Sequence, residues 1–188
     1  MAELHRSSKE SVVVVFTGDG KGKTSASLGL LVRALGAGQK VAFLQFIKNW
    51  QVSEHQFIKD IKPVYKDRLF FYKGGLGFFK AGELSSSASN EDHQAWAQET
   101  YDLAYKVSTS GDYDLVICDE INNSVHDGLI ELELLKKIIK NKSPQTSLCL
   151  TGRNFPKELI PQVDIATDMT KLKHHYDDGE LAIKGIDY

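Results

Sequence analysis

Apolar residues follow two alternating rhythms along the chain. Unbroken runs such as Val12–Phe16, Val41–Leu44, Leu69–Tyr72 and Leu115–Cys118 are separated by longer stretches whose apolar positions recur every three or four residues. An unbroken run of this length reads as a strand buried on both faces, as in a parallel sheet. The pattern predicts strands over residues 11–17, 40–46, 69–72, 115–120 and 146–151, with a further short one from Ile165. Between them, Ala26, Leu30, Leu31, Ala34 and Leu35 predict a helix over 23–35, with Gly36 as its C′ residue and Gly36-Ala37-Gly38 as the return turn. A second helix is expected over 51–61, ended by Pro63. A third opens at Ser89, with Asp92 three residues on as a weaker form of the capping box, and runs to about Ser108. A fourth covers 131–141, with Leu132, Leu135, Ile138 and Ile139 on one face, and Pro156 opens a short helical turn. Strand and helix alternation predicts one α/β domain over 11–188, a mostly parallel sheet with helices on both faces, behind a polar lead of residues 1–10.

Two stretches break the rhythm. Gly18-Asp19-Gly20-Lys21-Gly22-Lys23-Thr24-Ser25 lies between the first strand and the first helix. Glycines there let backbone N–H groups turn inward, and the helix aims its positive end at the same point, which is the construction of a phosphate-binding loop. Lys23 is placed to reach the outer phosphates and the Thr24 hydroxyl to ligate Mg²⁺. The standard spacing would put a glycine where Thr17 stands, so the loop is one residue short when counted from Gly18, and Lys21 is an extra cation. This strand–loop–helix context predicts a P-loop NTPase-like, RecA-like domain. The second stretch, residues 73–82, carries four glycines and the adjacent Phe78 and Phe79. It reads equally as a ligand lid and as a surface loop anchored by its aromatics.

Ligands of parallel sheets bind at the carboxyl ends of strands. The glycine loop, Asp119-Glu120 and Gly152-Arg153 all fall at such ends and converge on one rim. Four apolar residues followed by Asp119-Glu120 suit the metal side of a nucleotide site, either as ligands of the phosphate-bound metal or with Glu120 activating water for ATP hydrolysis. A guanine-reading Asn-Lys-x-Asp would need an acid at position 144, where Pro144 stands. A phosphotransferase lid usually brings several arginines, and here Arg33 and Arg153 are isolated among basic residues that are 19 lysines and 4 arginines.

Composition narrows the partners. A formal net charge of −2 argues against general nucleic-acid binding, and no apolar run approaches the roughly 20 residues of a membrane span. Residues 1–11 are polar and lack a signal-peptide core, so a cytoplasmic location is expected. Cys118 and Cys149 sit within apolar runs and read as reduced core thiols. The histidines form no spaced metal-ligand set with them.

Phe16–Thr24, Arg33-Ala34, Gln45-Phe46-Ile47-Lys48, Asp119-Glu120, Thr151-Gly152-Arg153, Lys173-His174 and the terminal Gly185-Ile186-Asp187-Tyr188 together resemble the ATP:corrinoid adenosyltransferases of cobalamin biosynthesis and salvage. The resemblance runs from the first strand to the last residue, and the shortened loop looks like the family's own form. It implies transfer of the adenosyl group: a reduced Co(I) corrinoid attacks the 5′ carbon of ATP and tripolyphosphate leaves. On that reading Lys21, Lys23 and Glu120 are catalytic, and Gly18, Asp19, Gly20, Lys21, Gly22, Lys23, Thr24, Ser25, Arg33 and Arg153 bind ATP. Thr24, Asp119 and Glu120 hold Mg²⁺ or Mn²⁺. Phe78 matches the first of the aromatics that press on the lower face of the corrin, and the second position, usually Trp, is Lys80, which leaves Phe79 or another closure. The resemblance also implies a homodimer and a flavoprotein reductant. The alternative left by the residues themselves is a P-loop ATPase or phosphotransferase.

Overall fold

A computed structural model describes residues 9–77, 79 and 88–187. Strands β1 (Val13–Thr17), β2 (Val41–Gln45), β3 (Leu69–Lys73), β4 (Leu115–Asp119), β5 (Ser147–Thr151) and β6 (Ile165–Asp168) form one sheet in the order β3-β2-β4-β5-β1-β6. Every pairing is parallel. All the carboxyl ends therefore lie on one edge, and register puts Gln45 beside Asp119 on one side and Lys73 on the other. Strand β5 stands between the glycine-loop strand β1 and the acid-tipped strand β4.

Helices α1 (Lys23–Gly36) and α2 (Ser53–Tyr65) cover one face, where Leu31, Leu35 and Ile58 pack with Phe43, Ile117 and Cys149. Helices α3 (Asn90–Thr109) and α5 (Leu132–Asn141) cover the other, where Ala97, Tyr101, Leu135 and Ile138 pack with Leu44, Val116 and Leu150. Side chains such as Phe43, Leu44 and Ile117 are fully buried, each worth roughly 1.5–3 kcal/mol over exposure. Both cysteines are free and buried, and burial pushes the Cys118 thiol well above its ordinary value. The capping box at α3 is present: Ser89 Oγ accepts the Asp92 N–H at 3.0 Å, and the Asp92 carboxylate accepts the Ser89 N–H at 3.2 Å.

Three local expectations change. Gly36 is the last residue of α1, and the left-handed turn falls on Gly38, φ 83°, whose N–H reaches the Leu35 carbonyl. Pro63 lies inside α2 rather than ending it; its missing N–H costs one bond in the last turn, and the helix stops at Lys66, φ 46°. A further six-residue helix, α4 (Ile121–His126), follows Glu120 directly and is too short to show a period. Strand β6 exposes all four side chains at the sheet edge. Among the described residues no helix is long and apolar enough to cross a membrane.

Candidate active site

The glycine loop leaves β1 through Thr17, whose hydroxyl accepts the Phe155 N–H at 3.1 Å and whose carbonyl accepts the Met169 N–H at 2.8 Å. The residue standing where a glycine would be is thus tied to the segments following β5 and β6. Gly22 caps α1 at φ 107°, and the first helical bond runs from the Ala26 N–H to the Gly22 carbonyl. The N–H groups of Lys23, Thr24 and Ser25 therefore have no intrahelical partner and face the loop. The Lys23 ammonium is buried and donates to the Gly18 and Gly20 carbonyls, each at 2.7 Å. Two of its three N–H bonds hold the loop's shape, which leaves one for an anion. Burial, opposed by Glu120, lowers its pKa.

The chain's tail crosses this loop. The Gly20 N–H donates to the Met169 carbonyl at 2.6 Å, and a Cβ at position 20 would stand 2.5 Å from that oxygen. Lys21 Nζ is 3.4 Å from Asp187 Oδ1, while the other Asp187 oxygen accepts the Ile183 N–H at 3.0 Å. This Ile183 bond leads the effects that bring the Asp187 carboxyl below its usual range. The terminal motif that shares in the family resemblance thus has its Asp187 side chain against a loop lysine.

Asp119 is completely buried at the tip of β4. It accepts from Thr24 Oγ1 at 3.0 Å, Thr151 Oγ1 at 2.8 Å and Gln45 Nε2 at 3.1 Å, with Lys48 Nζ at 3.5 Å. Thr151 in turn accepts the Glu120 N–H at 2.9 Å, so one hydroxyl fixes both acids. Glu120 takes a left-handed conformation, φ 67°, as the chain turns from β4 into α4. Burial first, then the Asp119 charge, pushes its carboxyl up to about 7. Two adjacent carboxylates and the Thr24 hydroxyl form a hard, all-oxygen donor set, and the raised Glu120 carboxyl marks a place that favours added positive charge. These residues fit Mg²⁺. Among the described residues no cluster of three or more His, Cys, Asp or Glu exists, and an Mg²⁺ ion held by one or two carboxylates would keep water and substrate phosphates as its other ligands.

Lys48 is the cation already present there. Its ammonium is 2.7 Å from Glu54 and 3.4 Å from Thr24 Oγ1. Burial alone would lower its pKa, but Asp119 and Glu54 outweigh it and raise it. Gln45, Lys48, Glu54 and His55 carried no functional role in the sequence reading; their only signal was the motif that contains the first two. The polar ends of β2 and β5, Gln45 and Thr151, follow buried runs and meet at Asp119 on the carboxyl edge of the sheet.

Other sequence-predicted residues lie farther out. Asp19 and Arg153 flank the loop, exposed, with Arg153 Nε 4.0 Å from Asp19 Oδ1. The Arg153 N–H is held by Asn123 Oδ1 at 2.6 Å, so α4 positions that turn. Ser25 is exposed on the first turn of α1. Arg33 is exposed in the last turn of α1, ten residues and about 15 Å of helix rise beyond Lys23; the fold does not bring it to the loop. Phe79 packs on the core, 5.2 Å between ring centroids from His93, as an anchoring side chain does. Phe78 and Lys80 lie outside the described residues.

Comparison with known proteins gives this arrangement its context. In fold, the chain is similar to the flagellar accessory protein FlaH of Methanocaldococcus jannaschii, with a TM-score of 0.53 and 11% identity over 85% of this chain and 71% of that one. In sequence it is similar to the corrinoid adenosyltransferase of Escherichia coli (strain K12), 28% identical over 96% of this chain and 87% of the relative. It is 29% identical to that of Pseudomonas aeruginosa, over 96% and 85%, and 26% identical to corrinoid adenosyltransferase CobA of Salmonella typhimurium, over 96% and 87%. The profile of the family described as ATP:corrinoid adenosyltransferase BtuR/CobO/CobP matches residues 9–188. With nearly its whole length matched, and the glycine loop and the acid-tipped strand on one edge of its sheet, the chain belongs to the ATP:corrinoid adenosyltransferase family.

Proposed function

We propose that this protein transfers the 5′-deoxyadenosyl group of ATP to the cobalt of a reduced corrinoid and releases tripolyphosphate. The observation that carries the reading is the family match over residues 9–188, which includes every element of the phosphate loop and the β4 tip. In this reaction the Co(I) electron pair forms the Co–C bond, the C5′–O bond breaks, and its electrons leave on the tripolyphosphate oxygen. The nucleophile is the metal of the substrate, so no general base is required. What the protein must do is hold ATP in line and stabilise the leaving charge.

Lys23, Lys21 and the free N–H groups at the start of α1 are suited to that charge. Thr24, Asp119 and Glu120 are the residues that would hold Mg²⁺ or Mn²⁺. That ion, when bound, supplies neutralisation of the polyphosphate. On this reading Glu120 serves as a ligand rather than a water-activating base. Arg153, exposed beside the loop, is assigned to the nucleotide and Phe78 to the corrinoid's lower face, both by resemblance. The proposal extends to a cytoplasmic setting, from the polar residues 1–11, and, by resemblance, to a flavoprotein reductant and a homodimer. Support for a second copy comes from the tail, where Leu172, Leu181 and Ile186 are 95%, 81% and 78% exposed.

Incubation with ATP, Mg²⁺ and chemically reduced cobalamin tests the reaction. A light-sensitive Co–C product with stoichiometric tripolyphosphate is expected; ADP and phosphate would establish the ATPase instead. Phe78→Ala should slow the reaction from Co(II) more than from pre-formed Co(I), and equal losses would remove Phe78 from the corrinoid face. Sedimentation of the purified protein checks the dimer.

A further inference from the structure

Behind Asp119 runs a buried chain of polar groups whose directions can be deduced. Gln45 Nε2 lies 3.1 Å from Asp119 Oδ2 and 3.4 Å from Glu54 Oε1. Carboxylates only accept, so the nitrogen of the Gln45 amide must face them and its oxygen must face the other way. That oxygen is 2.6 Å from His55 Nε2. The ring nitrogen must therefore carry the proton. The other ring nitrogen, Nδ1, is 3.4 Å from the Val52 N–H and accepts from it. The imidazole is thus neutral in a single tautomer, and burial, the leading effect on it, lowers its pKa. Gln45 and Asp119 are fully buried and His55 is nearly so. None of the three can turn its polar atoms to water, and reversing the amide would set its oxygen against two carboxylates.

Sheet register explains why the chain ends where it does. Gln45 and Asp119 are direct neighbours across β2 and β4, while His55 reaches back from the first turn of α2. The other acceptor positions of Asp119 are used by Thr24 and Thr151. A carboxylate so enclosed has one orientation.

We infer that His55 and Gln45 form a positioning relay that locks the Asp119 carboxylate, and through it the Thr24 hydroxyl, in the geometry required on the metal side of the triphosphate. The inference rests on the proposed reading of Thr24 and Asp119 as metal-side groups. Neither relay residue touches substrate; both act through Asp119. Groups standing behind a metal ligand in this way typically change metal affinity 10–100-fold when removed.

The test measures binding of ATP to the full-length protein without corrinoid, by calorimetry, once with Mg²⁺ and once with EDTA. Wild type should bind ATP more tightly with Mg²⁺. His55→Phe, which keeps the ring volume and removes both nitrogens, should lose about 10–100-fold of that Mg²⁺-dependent gain and leave binding in EDTA unchanged. His55→Gln, whose amide can donate from the Nε2 position, should restore most of it. Gln45→Met breaks the next link at similar volume and should reproduce the His55→Phe loss, which keeps the test open if one variant does not fold. A wild-type Mg²⁺ gain retained in both His55→Phe and Gln45→Met overturns the relay alone. So does a loss that is equal in Mg²⁺ and EDTA, the mark of a merely structural role. A wild type that gains nothing from Mg²⁺ overturns the metal reading and the relay with it.

Discussion

Thr151 offers the sharpest quantitative test of how the β4 tip is held. Its hydroxyl donates to Asp119 at 2.8 Å and accepts the Glu120 N–H at 2.9 Å, and the side chain is completely buried. Thr151→Val keeps the shape and deletes both bonds. A hydrogen bond to a charged group contributes about 1.5–3 kcal/mol, and orphaning an N–H inside the protein costs about 1–3 kcal/mol. A loss of about 3 kcal/mol, a little above the combined lower ends of both ranges, is therefore expected. For a chain of this size that is a fall of about 6–12 °C in Tm. Thr146 provides the internal reference: it is also completely buried, but its hydroxyl donates to a neutral carbonyl, that of Tyr113, at 2.7 Å. Thr146→Val should cost about 1 kcal/mol. Both variants are compared with wild type by urea denaturation and thermal scanning without nucleotide. The double variant Thr151→Val with Asp119→Asn should be less destabilised than the two single effects added, because the threonine bond to a charged acceptor is counted in both. If Thr151→Val loses no more stability than Thr146→Val, or if its effect adds fully to that of Asp119→Asn, the hydroxyl does not anchor Asp119 and the reasoning fails.

Lys23→Ala should lower turnover on the order of 10²-fold or more by removing charge from the leaving group's site, measured as tripolyphosphate release; near-normal turnover would refute the role. Glu120→Gly should stabilise the fold by about 1 kcal/mol, because the left-handed turn no longer carries a Cβ, while adenosyl transfer collapses; a variant that loses stability would contradict the strain. The raised Glu120 carboxyl also sets a pH trend. Its folded pKa, about 7, lies above the ordinary value of 4.5, so the folded chain favours the protonated form. Stability without metal should fall as pH rises from about 4.5 through about 7, and a series of denaturation midpoints should flatten over that window in Glu120→Gln.

The sheet was legible because its inner strands are buried on both faces and so carry consecutive apolar residues, as in Leu115–Cys118. The glycine loop was legible because one contiguous stretch performs one task. The relay behind Asp119 was not, since it joins Gln45, His55 and Asp119 through a strand register that no local pattern encodes. Helix α4 was hidden for a different reason: six residues cannot show a helical period, and its work is to hold the Arg153 turn through Asn123. The tail shows in the sequence as a short strand from Ile165 and the motifs Lys173-His174 and Gly185–Tyr188, none of which encodes the contact of the Met169 carbonyl with the Gly20 N–H.

The substituted glycine at the head of the loop follows from the same geometry. Thr17 uses its hydroxyl to hold the Phe155 N–H and its carbonyl to hold the Met169 N–H. A glycine there would release the first of these contacts and loosen the segment after β5, where Arg153 lies. The shortened loop, in turn, leaves Lys23 able to reach the Gly18 and Gly20 carbonyls together, and the tail closes over Gly20, where any side chain would strike it. The loop's shape is therefore set from three sides, by the β5 turn, by the tail and by its own lysine. A site whose nucleophile is the substrate's own cobalt has little need of an acid or base; it needs a triphosphate held still. Fixing the loop at three separate points is a construction that supplies this.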